Sequence, residues 1–173
     1  KILYSYDPKI ENFILYKGFK YIENQNYDEG AIFFRALINM NNENFIGIFN
    51  YALALESISR NLINKGMGKT GQSFLIESTN QLESILDITM DFSLAYYKLG
   101  YHYKYYEQFL KAKLIWEKYL KLDDEDIRHQ EIREQLESIT DDVYYEEGLN
   151  LLSNGQYELA LDKFIKLARK HNG

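Results

Sequence analysis

The fold is decided by the stretch YYKLGYHYKYYEQFLKAKLIW, Tyr96–Trp116. Tyr96, Leu99, Tyr103 and Tyr106 recur at i, i+3, i+7 and i+10, one face of a helix. Gly100 stands beside that face. A glycine there costs a helix about 1 kcal/mol relative to alanine, and close approach of a second helix explains its presence. That helix follows at once, because Phe109, Ala112, Trp116, Tyr119 and Leu120 also share a face. Ala112 lies twelve residues after Gly100, and Trp116 four after that. Two helices crossing at a small-residue contact account for the whole pattern.

The same intervals recur along the chain. Twelve residues lead from Gly18 to Gly30 and four more to Phe34. Twelve lead from Gly148 to Ala160 and four more to Phe164. Ala52, flanked by Ile48, Tyr51 and Leu55, lies thirty-four residues after Gly18. This pattern resembles the tetratricopeptide repeat, a helix–turn–helix unit of about 34 residues with W-x-x-L-G-x-x-Y in its first helix and A-x-x-x-F in its second. The best match is Tyr96-x-x-Leu99-Gly100-x-x-Tyr103 with Ala112-x-x-x-Trp116; Asp124 stands where a proline is usual. The turn Gly155-Gln156-Tyr157-Glu158 is similar to the family's G-D-Y-E. The resemblance covers nearly the whole chain. It implies an all-α fold, a right-handed superhelix of antiparallel helix pairs, with about four repeats and one extra helix.

Bulk composition agrees with this class and removes others. A chain of 173 residues that is 46% hydrophobic and 27% charged can bury a core. A single proline and few turn clusters favour helices over many short strands. The net charge of −6 does not supply the basic surface that nucleic acid requires. Without cysteine there are no disulfides or thiolate metal sites, and no apolar run reaches the roughly 20 residues of a membrane span. His102, His129 and His171 lack partners at metal-ligand spacing and read as surface residues. The acidic clusters at Asp123–Asp126 and Asp141–Asp142 stand where helices begin, favoured there by the helix dipole. No nucleophile elbow, Rossmann fingerprint or complete phosphate loop is present. The expectation is a chain with no catalysis, metal or cofactor.

The spacing of Gly18, Ala52, Gly100 and Gly148 is 34, 48 and 48, so two units carry 14 extra residues each. In the second unit, three glycines in RNLINKGMGKTGQS predict an inserted loop at 60–73 between helices over 45–59 and 72–86. Its Gly68-Lys69-Thr70 lacks the preceding strand and the upstream glycine of a phosphate loop, since Ile63 holds that position. In the other interval, Ile132, Leu136 and Ile139 form a narrow apolar stripe that predicts an additional helix over 127–140. The chain thus divides into 1–8, the tail of a preceding repeat's second helix; 11–44, repeat one; 45–92, repeat two with its loop; 93–126, repeat three; 127–140, the extra helix; and 141–173, repeat four. This division expects at least one more helix upstream.

In the tetratricopeptide family the first helix of each repeat lines a concave groove. The resemblance carries that role to Leu15, Phe19, Ile22 and Glu23 in the first unit and Phe49, Leu53, Glu56 and Ser57 in the second. In the third it falls on Tyr97, Tyr101, Lys104 and Tyr105, and in the fourth on Tyr145, Leu149, Leu152 and Ser153. The lysines and asparagines with which some members clamp a chaperone tail are absent, leaving an apolar, aromatic groove edged by Lys104, Glu23 and Glu56. Trp116 and Gly100 are assigned to folding and Tyr101 to binding. Two readings follow. One is a non-catalytic interaction scaffold that binds another protein as a peptide or amphipathic helix. The other is a structural subunit, of the kind found in bacterial envelope assemblies, that self-associates or packs on the rest of its own chain.

Overall fold

The computed structural model describes residues 8–171. Among these residues there are nine α-helices and no strand. Residues 1–7, which fall in the expected upstream tail, lie outside the described residues. The chain separates into two compact units, the division falling between Met90 and Asp91. The first holds α1 (Pro8–Glu23), α2 (Tyr27–Met40), α3 (Phe45–Asn64) and α4 (Gly68–Ile88). The second holds α5 (Ser93–Tyr105), α6 (Phe109–Leu122), α7 (Asp126–Ser138), α8 (Thr140–Ser153) and α9 (Tyr157–His171). No helix of the described residues is long and apolar enough to cross a membrane.

The helix pairs α1/α2, α3/α4, α5/α6 and α8/α9 are each closed by a residue in the left-handed region. These are Gln25 (φ 60°), Gly66 (φ 80°), Glu107 (φ 56°) and Gly155 (φ 74°). Within three pairs, the glycine of the first helix receives an aromatic ring of the second. A Cβ on Gly18 would stand 2.5 Å from Phe34, and one on Gly148 would stand 2.6 Å from Phe164. At Gly100 the gap closes further, to 2.0 Å from Trp116 Nε1. That indole N–H donates to the Tyr97 carbonyl at 3.2 Å, so the ring is tied to the helix it packs on. Glu11 adds a clasp in the first unit. It accepts from Asn41 Nδ2 at 2.9 Å and Asn44 Nδ2 at 2.8 Å, while Asn44 Oδ1 caps α3 through the Gly47 amide.

The loop expected at 60–73 is absent. Arg60–Asn64 continue α3, Gly68–Ser73 open α4, and Lys65–Met67 alone connect them. The 14 extra residues are about two more turns on each helix, and two turns take about 7 residues, so the packing faces keep their register. The contact of the pair is repeated accordingly. Ser78 Oγ donates to the Ala52 carbonyl at 2.7 Å, and seven residues further along the pair Gly71 meets Ser59. A Cβ at Gly71 would come within 2.9 Å of the Ser59 carbonyl and 2.6 Å of Ile63 Cγ1. Gly71 therefore serves close helix approach, and only Gly66 makes the turn. α7 occupies the interval read as an additional helix.

Substituting Gly100→Ala gains helix propensity but drives a methyl into a ring that is hydrogen-bonded in place. A net loss of about 1–3 kcal/mol is expected, in the range of core overpacking, read as a lower denaturant midpoint by circular dichroism. Gly68→Ala, with nothing within 4 Å of the added methyl, should leave the midpoint nearly unchanged.

Candidate functional site

The third unit brings three of its four groove candidates together, on the chain's own α7. Tyr97 Oη donates to Glu131 at 3.0 and 3.1 Å, and Tyr101 Oη donates to the same carboxylate. Lys104 Nζ donates to Gln135 Oε1 at 2.8 Å and Ser138 Oγ at 2.9 Å. Tyr97, Tyr101 and Lys104 are spaced i, i+4, i+7, and so are Glu131, Gln135 and Ser138. The two stripes run in the same direction, so α7 lies parallel along the predicted groove face of α5. Ile132 is the buried apolar anchor of α7. Tyr105, the fourth candidate, is exposed, with its ring 5.6 Å from that of Tyr106.

The division of labour expected for Tyr101 is therefore corrected. Its ring stands edge-on to Trp116 at 5.1 Å and to Tyr97 at 5.3 Å. Tyr97 in turn lies 5.5 Å from Tyr119. Tyr101 is packed on the folding core as well as on α7, and Tyr101→Ala would remove both contacts.

The turn leading into α7 is fixed by polar groups. Asp123 Oδ1 accepts from the Glu125 amide at 2.7 Å, and Oδ2 accepts from Ser93 at 3.2 Å. Burial works against ionisation of Asp123, but these donors and Arg128 outweigh it and hold its carboxyl below the usual range. Arg128 pairs with Glu125 at 2.7 Å, and the His129 ring donates to the Asp123 carbonyl while facing Tyr119 at 6.0 Å. The expectation of surface histidines fails here: His129 is half-buried and His102 is buried within α5. Among the described residues, no three His, Asp or Glu side chains converge in a way that could hold a metal ion.

The remaining candidates have different surroundings. In the first unit Leu15 packs against the core of Phe34, Tyr51 and Ile58, and Phe19 is exposed with its edge on Phe34 at 5.6 Å. Ile22 is half-buried against that core. Glu23 pairs with Lys20 at 2.9 Å and Glu56 with Arg60 at 3.2 Å, both within their own helices. Phe49 and Leu53 are half-buried, as is Ser57, whose hydroxyl bonds back to the Leu53 carbonyl at 3.0 Å. In the fourth unit Tyr145, Leu149 and Leu152 are all exposed, although they occupy the positions of Tyr97, Tyr101 and Lys104. The α7 residues Glu131, Gln135 and Ser138 were not among the candidates. Their signal is the i, i+4, i+7 spacing shared with the α5 stripe.

Alkaline titration reads this cluster directly. Burial, reinforced by the Glu131 hydrogen bonds, raises the Tyr97 and Tyr101 phenols. Burial, with the Asp123 carboxylate nearby, pushes Tyr119 up to about 12. A raised phenol favours the protonated fold, so this stabilisation is complete below the ordinary value of about 10 and lost as pH rises through the folded values. Tyr119 should ionise near pH 12 with simultaneous loss of helicity. Tyrosinate absorbance and circular dichroism measured together would show this. A single ionisation near 10 with helicity retained would contradict it.

No protein-family model and no curated protein matches the sequence. Among solved structures the chain is similar to the crystal structure of the P58(IPK) TPR domain, with a TM-score of 0.60 and 18% identity. The match covers 92% of this chain and 41% of that one, so this chain spans well under half its length. Two crystal structures of MamA superpose loosely. One has a TM-score of 0.35 and 15% identity over 94% of this chain and 92% of that one. The other has 0.29 and 16% over 90% and 94%. The P58(IPK) similarity, together with the glycine–ring helix pairs, shows the fold: this chain is an all-α solenoid of the tetratricopeptide-repeat type.

Proposed function

We propose that this chain is a non-catalytic protein-interaction scaffold that takes a peptide or amphipathic helix on the faces of its first helices. One observation carries the reading. On α5 the predicted groove positions do receive a helix, α7, through two phenols and an ammonium. Helix-in-groove docking of this kind is a recurring mode of recognition. The same positions are exposed on α8 as Tyr145 and Leu149, and in part on α1 as Phe19. Exposed aromatic and aliphatic side chains in one register mark a surface suited to a partner.

The chemistry of the faces differs. The α5 face selects a polar stripe, because its hydroxyls and Lys104 need acceptors. The α8 face, with Leu149 and Leu152 in place of Tyr101 and Lys104, suits an apolar stripe. Leu15, Phe19 and Glu23 on α1, and Phe49, Leu53 and Glu56 on α3, complete the proposed contact set in the first unit. Tyr105 belongs to it in the third.

A photo-reactive phenylalanine analogue at position 149, activated in the source cells, tests the reading. Capture of a discrete foreign protein is expected, and Leu152→Ala, at an exposed position, should weaken that capture severalfold without changing the melting temperature; Tyr145, whose ring stands 5.8 Å from that of Phe164, also packs on its own helix pair. Capture of nothing but this chain would count against a foreign ligand on the face.

A further inference from the structure

α7 differs from its neighbours in how it is held. Of its 13 residues, Ile132 alone is buried. Ile127 is 79% exposed, and Arg133, Glu134, Glu137 and Ser138 also face solvent. Its bonds to α5 are made by the far ends of long side chains: two phenols reach Glu131, and Lys104 reaches Gln135 and Ser138. Such groups exchange a protein partner for water at small net cost. A helix of this length is marginal in water by itself, so α7 is helical because it is seated.

The rest of the second unit does not depend on α7 for its continuity. α8 is joined directly to α6, where Glu146 accepts from the Leu110 amide at 2.8 Å and Val143 is buried. α5 and α6 are held by Trp116 on Gly100. α7 is thus fastened at its two ends, by the polar turn at Asp123–Glu125 and by Ile139, which is 1% exposed, between helices that hold one another without it. A segment of this kind opens by local unfolding while its neighbours stay folded. Opening uncovers Tyr97, Tyr101 and Lys104.

The seat also carries a mismatch. The two phenols meet a carboxylate, but the Lys104 ammonium meets two neutral oxygens, Gln135 Oε1 and Ser138 Oγ. A carboxylate in the place of Gln135 would add ion pairing to that hydrogen bond. We propose that α7 is a built-in occupant of the α5 face, released by local unfolding and replaced there by a partner helix with carboxylates four residues apart, at the places of Glu131 and Gln135. This rests on the scaffold reading and deepens it: the partner of α5 is an acidic helix, and its binding requires release of α7.

Hydrogen exchange of the intact chain is the first test. The α7 amides should exchange through an opening of their own, well before those of α5 and α6. The second test uses two fluorescent peptides, one with the sequence of residues 126–138 and one with Gln135→Glu in that sequence. The acidic peptide should bind the intact chain about twofold to fivefold more tightly than the other, the range of a partly exposed ion pair, and should speed exchange of the chain's own α7. Lys104→Gln, at a half-buried position, should abolish the preference, and Glu131→Ala in the chain should tighten both peptides by loosening their competitor. α7 amides that exchange only together with those of α5 would overturn the proposal. So would peptides that do not bind, or a preference for glutamate that survives Lys104→Gln. Capture at position 149 is read on α8, so failure here leaves that result as it stands, and failure there leaves this one.

Discussion

The contact on which the rest depends is the seat of an aromatic ring on a glycine. Gly18 with Phe34, Gly100 with Trp116 and Gly148 with Phe164 each bring two helices to a separation that a side chain would forbid. The ring fills the space the missing methyl leaves, so the helix propensity lost at glycine is offset by buried aromatic area. The contact also sets rotation. Once Gly100 faces Trp116, Tyr96, Leu99 and Tyr103 are buried around it, and Tyr97, Tyr101 and Lys104 turn toward α7.

The second helix pair shows how far this constraint can be stretched. Ala52 replaces the glycine, and Ser78 replaces the small residue opposite, spending its hydroxyl on the Ala52 carbonyl. A second close contact, Ser59 against Gly71, lies seven residues on. An insertion of any length not close to whole turns would have rotated one face away from the other. Two turns on each helix preserve the pairing, so the pair is longer without a change of packing rule.

The helix pairs were legible because glycine, small residue and aromatic recur at fixed intervals, the spacing that a ring seated on a glycine of the neighbouring helix requires. The extension of α3 and α4 was not, because Gly66, Gly68 and Gly71 read alike while only Gly66 takes a positive φ. Glycine signals a tight turn and a tight packing contact with the same letter. The burial of His102 was hidden by its neighbours: α5 carries tyrosines on every side, and tyrosine serves core and surface equally well. The place of α7 was hidden for a different reason. It has one buried apolar anchor, Ile132, and its remaining attachment to α5 is polar, so hydrophobic periodicity foretells a helix there and not its seat.

That polar attachment sets the chemistry of the α5 face apart from that of its counterpart on α8. A carboxylate that accepts two phenolic hydrogen bonds must find donors when it leaves water, and Tyr97 and Tyr101 provide them. An aliphatic stripe laid in the same place would leave both hydroxyls without acceptors. The α8 face reverses the preference, since Leu149 and Leu152 offer a carboxylate nothing to bond. The chain thus carries two copies of one surface with opposite demands. α7 satisfies the polar one and, by the same chemistry, is a poor fit for the apolar one. The fold supplies a repeated frame, and the residues one and four places after the glycine set the chemistry that each copy of the frame presents.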